Sequence, residues 1–130
     1  MVVLEALAGA YSIHKLPVSS AIPTTLYEES AALCCVLRSD KELSVVCAAD
    51  VSLADSQQVG PWSALRVAGT LDFDLTGILS RLTAVLFDAD ISVFAISSFD
   101  TDYLPVRQES RDLAHQSLQQ AGYQIQASGH

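Results

Sequence analysis

The spacing of apolar residues in the second half of the chain limits the possible folds more than any other feature. Leu75, Ile78, Leu79, Leu82, Val85 and Leu86 step by three and four, the period of a helix that buries one stripe. Asp74 or Thr76 is placed to cap it, and it should end near Asp88. A β-branched, apolar run over residues 63–69 precedes it and predicts a strand. Residues 91–99 are apolar on both alternating sets, which predicts a strand covered on both faces or covered by a partner. The polar turn 98–102 and an antiparallel neighbour over 103–107 follow. Ser110 then caps a second helix with Leu113, Ala114, Leu118 and Ala121 on its apolar face and Gly122 as its stop, and Tyr123, Ile125 and Ala127 alternate as a last strand. Strand, helix, strand, strand, helix, strand is the α+β, ferredoxin-like βαββαβ order.

The first half is strand-rich and helix-poor. Residues 4–8, 11–16, 31–37 and 43–47 read as strands, with Pro17, Pro23 and the Ser39-Asp40 pair between them. Residues 19–30 contain Pro23, Thr24 and Thr25 and are poor helix material. The expected organisation is two such units in tandem: a degenerate N-terminal one over 1–60 and a well-formed one over 61–130, parted at Gly60-Pro61.

Composition narrows the function. The chain of 130 residues is 50% hydrophobic and only 17% charged, which excludes disorder and favours self-association. Its net charge is −8, with 7 scattered Lys and Arg residues, so nucleic acid and anionic membranes are not expected partners. No apolar run approaches the roughly 20 residues of a membrane-spanning helix, and the N-terminus does not read as a signal peptide. Three cysteines, two adjacent, read as buried thiols of a cytoplasmic protein.

Three D-x-D pairs stand out: Asp72/Asp74, Asp88/Asp90 and Asp100/Asp102. Paired carboxylates can hold Mg²⁺ for phosphoryl transfer, but βαββαβ topology puts Asp88 and Asp90 at the opposite end of the sheet from the other two pairs. It does bring residues 74–77 towards the hairpin 98–102. There the opening of a helix offers N–H groups to a carboxylate, an Asp can take an ammonium, and Gly77 allows close approach. The same residues also fit a purely structural reading, with Asp74 capping, Gly77 relieving packing and Asp100 turning the chain. Neither a nucleophile elbow, a phosphate loop nor a histidine constellation is present, so no catalytic residue, metal ligand or cofactor site is assigned. His115 reads as a surface histidine, and Trp62 as a packing anchor.

Residues 62–79, with Gly77 in the loop, and residues 91–103, with the Ser98-Phe99-Asp100-Thr101-Asp102 hairpin, resemble the ACT-domain proteins of the CASTOR-like, tandem-ACT group. Residues 11–17 and 41–47 resemble the group's N-terminal unit. The resemblance implies a non-enzymatic, homodimeric regulator that binds a small ligand, an amino acid, between ACT units and acts on a regulated protein partner. It implies ligand-facing positions at Leu75, Thr76, Gly77, Ile78 and Leu79 in the loop, Ser92 and Val93 on the edge strand, and Ser98, Phe99, Thr101 and Asp102 in the hairpin. Two departures from the group's pattern are Leu104-Pro105-Val106, where a bulge or a shortened strand is expected, and Arg107-Gln108 at the following turn. The alternatives are an interaction module with a vestigial pocket, and a divalent-metal phosphoesterase using Asp72/Asp74 and Asp100/Asp102.

Overall fold

The computed structural model describes residues 2–27, 31–68 and 77–128. They form β1 (Val3–Ala6), β2 (Tyr11–Leu16), β3 (Cys35–Arg38), β4 (Leu43–Ala48), β5 (Gln57–Val67), α1 (Ile78–Asp88), β6 (Ile96–Ser97), β7 (Asp102–Arg107), α2 (Arg111–Gln120) and β8 (Gln124–Ala127), with short 3-10 turns at Thr24–Tyr27 and Gln108–Ser110. Two compact units result. One comprises Met1–Ala8 with Trp62–Gly129, and the other is centred on Gly9–Pro61.

The larger unit is the ferredoxin-like one, an α+β arrangement with both helices packed on the sheet. On β5, Leu65 and Val67 point to the helices and join Leu4, Leu104 and Val106 from the neighbouring strands. Ile78, Leu82 and Leu86 of α1 and Ala114 and Leu118 of α2 close this core from above. Leu82, Leu86, Leu104 and Leu118 are fully inaccessible, and each such side chain contributes about 2 kcal/mol relative to an exposed one. The opposite face carries a cross-strand row in which Glu5, Arg66 and Tyr103 stand side by side. Arg66 Nε donates to Glu5 Oε1 at 3.0 Å, and the guanidinium lies 5.9 Å from the Tyr103 ring centroid.

Several expectations change here. Residues 1–60 were expected to group together, but β1 pairs antiparallel with β5 and parallel with β8. It supplies Leu4 to the core of the later unit, so the first eight residues pack with the C-terminal half. The expected strand over 91–99 contracts to Ile96–Ser97 plus an isolated bridge between Val93 and Val106. Pro105 explains the gap. The Phe94 N–H donates to the Pro105 carbonyl at 3.3 Å, but the ring nitrogen has no hydrogen to return to Phe94. The register runs unbroken from Val93↔Val106 to Ile96↔Tyr103, so no bulge forms, and the shortened strand is the partner rather than the proline's own. In α2, Leu113 is 49% exposed and Ala121 is exposed, leaving a narrower apolar face than the spacing suggested. Helix α1 starts at Ile78 with Gly77 in the cap position, while Asp74 and Thr76 lie outside the described residues.

The smaller unit is helix-poor. β4 lies between β2 and β3, antiparallel to both, and Leu16, Leu26, Leu43, Val45 and Cys47 make its core. Among the described residues only the Thr24–Tyr27 turn stands where a first helix would be, in keeping with Pro23 and the two threonines. Arg38 closes the 18–20 loop by donating to the Val18 carbonyl and, at 2.7 Å, to the Ser20 carbonyl. Cys47 is buried and Cys35 half-buried, but Cys34 is exposed, contrary to a uniformly buried set.

Candidate functional site

Where β5 ends, the hairpin between β6 and β7 is fastened to it. Thr101, only 8% exposed, donates its hydroxyl hydrogen to the Val67 carbonyl at 2.7 Å. Ser98 fixes the bend, its N–H donating to the Thr101 carbonyl at 2.8 Å and its Oγ accepting the Thr101 N–H at 3.2 Å. Ser97 Oγ donates to Asp102 Oδ1 at 2.6 Å, so Asp102 is oriented by its neighbour across the hairpin. In sequence, residues 69–76 lead from the end of this strand to Gly77 and α1.

Gly77 has φ +83°, a left-handed conformation that an L side chain adopts only at a cost. Gly77 has no side chain with which to cap the helix it opens, and among the described residues no side chain caps it. Arg81 folds back over this turn, with Nη1 3.6 Å from where a Cβ on Gly77 would stand. Sequence reasoning passed over Arg81, although its placement was informative. A cation in the first turns of a helix opposes the macrodipole, and it is better suited there to an anion shared with the N–H groups.

The other expected positions have different roles. Leu75 and Thr76 lie outside the described residues. Ile78 is buried in the core and can offer a ligand only backbone, while the partly buried Leu79 packs at the core's margin. Phe99 is 84% exposed at the hairpin tip. Ser92 and Val93 line an open groove of about 720 Å³ between α1 and residues 90–95, whose helical wall is Ser80, Thr83, Ala84 and Phe87. The hairpin residues do not line that groove, so Ser92 and Val93 stand apart from Ser98, Phe99, Thr101 and Asp102. Trp62 is buried, its ring edge-on to Phe94 at 4.9 Å between centroids, with the Arg107 guanidinium 4.9 Å from its own ring centroid.

Acid–base chemistry has little foothold among the described residues. No three Asp, Glu, His or Cys side chains converge as a metal centre. Burial pushes the Cys35 thiol above its ordinary range and the His14 imidazole below its own. Partial burial, with Arg111 nearby, also lowers His115. No helix among the described residues is long and apolar enough to cross a membrane.

Comparison with known proteins adds the family. Residues 59–120 match the ACT domain family. The solved structure of protein Atu0741 from Agobacterium tumefaciens is 32% identical and superposes with a TM-score of 0.87, covering 99% of this chain and 95% of that one. The fold also recurs in two aspartate kinases. For that of Clostridium acetobutylicum, the match is 9% identical, TM-score 0.64, over 92% of this chain and 34% of the kinase. Aspartokinase III of E. coli gives 11% identity, TM-score 0.60, over 92% of this chain and 32% of the enzyme. No curated protein matches the sequence. The βαββαβ unit and its sequence match give the chain an ACT domain over residues 59–120, and over nearly its full length the chain belongs to the same family as Atu0741.

Proposed function

We propose that the protein is a non-enzymatic regulator that binds an amino acid at the end of its ACT unit where α1 opens. The observation that carries this reading is the Thr101 to Val67 hydrogen bond, which anchors the β6–β7 hairpin at the end of β5 from which the chain runs on to α1. In this reading the ligand carboxylate takes the N–H groups after Gly77 together with Arg81, and the ammonium goes to Asp102 or Asp100. A second copy closes over the ligand, and the bound state favours one arrangement of subunits that a protein partner senses. The fold likeness to aspartokinase III, which was solved with aspartate and ADP, supports an amino acid as the ligand class. Asp72 and Asp74, on which the phosphoesterase alternative rests in part, lie outside the described residues.

Thermal melting of the full-length protein against each common amino acid tests the proposal. A ligand at about one hundred times its dissociation constant adds about 2.7 kcal/mol to stability. The expected result is a raised melting temperature with one or a few amino acids, reduced by Arg81→Ala. Identical curves with all of them would overturn the amino-acid reading.

A further inference from the structure

The three cysteines of the smaller unit take no part in the site just described, and the register of its strands brings two of them together. β3 and β4 run antiparallel, and their ladder ends at the pair Cys35↔Val46. Continuing that register by one residue sets Cys34 opposite Cys47. Val36, two residues along from Cys34, packs on the core that holds Cys47, so strand alternation turns Cys34 toward the same face.

Main-chain hydrogen bonds decide which kind of pair this is. At the turn joining the two strands the Ser39 N–H donates to the Glu42 carbonyl at 2.9 Å. Bonded and non-bonded positions alternate from there, so Leu37↔Ser44 and Cys35↔Val46 are bonded pairs and Cys34↔Cys47 is a non-hydrogen-bonded one. The pairing with β2 agrees. The Ala49 N–H donates to the Ala10 carbonyl at 2.9 Å, and the same alternation points the main-chain groups of Cys47 at Ser12, away from residue 34. Cα atoms of a non-hydrogen-bonded pair stand about 4.5 Å apart, within the range of roughly 4.4–6.8 Å that a disulfide spans.

Cys35 has Val46 opposite it, and alternation places its side chain on the other face from Cys47. Burial also raises its pKa, which lowers its thiolate fraction. Cys34 is exposed and Cys47 is buried, so Cys34 can meet a reagent in solution and Cys47 can follow only through Cys34.

We propose that Cys34 and Cys47 form a reversible oxidation site, joined across β3 and β4 by exchange with a small-molecule disulfide. The Cys34 thiolate attacks one sulfur of the reagent, forming a mixed disulfide and releasing the first thiol. The Cys47 thiolate then attacks the Cys34 sulfur and expels the second thiol. The protein loses two electrons, the reagent is reduced to two thiols, and the protons of the two cysteines end on them. The new bond closes a ring around the 39–42 turn and ties β3 to its only strand partner among the described residues. The smaller unit thereby registers the thiol–disulfide balance around it.

The probe is oxidised glutathione, added to the reduced full-length protein and followed by acid quenching, alkylation, non-reducing electrophoresis and peptide mass spectrometry. The expected product is a Cys34–Cys47 bond within one chain, exceeding the glutathione adduct about tenfold at low-millimolar reduced glutathione. Excess reduced glutathione should reverse it. Cys35→Ser should form the bond as the wild type does, Cys34→Ser should lose it, and Cys47→Ala should keep glutathione on Cys34. The wild-type and Cys35→Ser results stand even where a change at the buried position 47 prevents folding. A glutathione adduct that persists on the wild type, a bond made by Cys35, or a bond between two chains would overturn the proposal. None of these outcomes bears on the amino-acid reading, which is measured with free amino acids and Arg81.

Discussion

His14 shows how one residue ties the smaller unit to pH. It is completely inaccessible on β2, opposite Val45. Ser56 Oγ donates to the Leu53 carbonyl at 2.9 Å, so at 3.0 Å it accepts from His14 Nδ1–H. That leaves Nε2 as a bare acceptor with no partner. The residues alternating with His14 on its strand are Ser12 and Leu16, both buried, and Val45 and Cys47 flank it on β4. Protonation would bury an uncompensated charge. Because the folded-state pKa is lowered from 6.5, the unfolded chain binds the proton first. Stability should be full above pH 6.5 and fall as the pH drops below it. His115 shifts in the same direction, so the comparison is made in a His115→Gln background. There, His14→Gln should flatten the pH dependence of the melting temperature between neutral and mildly acid solution. An unchanged slope would show that His14 is not its source.

At the scale of elements, the two helices carry unequal weight. α1 buries Ile78, Leu82 and Leu86, whereas α2 buries Ala114 and Leu118 and leaves Leu113 half outside. Leu82→Ala should destabilise the protein by about 3 kcal/mol in urea titration, and Leu113→Ala by less than about 1 kcal/mol. Period alone ranks the two leucines equally, since both stand on an apolar stripe. Only packing tells them apart. The same distinction governs residues 91–99. Their composition is that of a central strand, and an antiparallel register is kept from Val93 to Ser97, but the missing hydrogen on Pro105 leaves a gap in the ladder at Phe94. The proline was legible in the sequence. Its effect fell on the neighbouring strand because, at that register position, the main-chain groups of residue 105 face β6 rather than β5.

Across the whole molecule, β1 has consequences far from its place in the chain. It lies between β5 and β8, and without it β8 loses its only strand partner among the described residues. Leu4 is inaccessible within the core of the C-terminal half. Leu4→Ala should therefore cost about 3 kcal/mol, and hydrogen exchange should show the protection lost over Gln124–Ala127 rather than within β2 or β4. Loss confined to β2–β4 would contradict this packing.

The candidate site divides along the same line. Gly77, the hairpin residues and the Asp88/Asp90 pair could be picked out in the sequence because each reflects a local need: a left-handed turn, a bend, or solvated charge. Helix period, strand alternation and turn chemistry likewise act between residues close in the chain, and they were enough to determine the βαββαβ order. Only the tertiary structure decided that Thr101 bonds to Val67, that Arg81 folds over Gly77, that Ser92 and Val93 line a groove apart from the hairpin, and that the first strand joins the last. Each of these contacts, except the Arg81 turn, joins residues whose separation along the chain places no limit on their separation in space. The Arg81 turn depends on a rotamer that spacing does not specify.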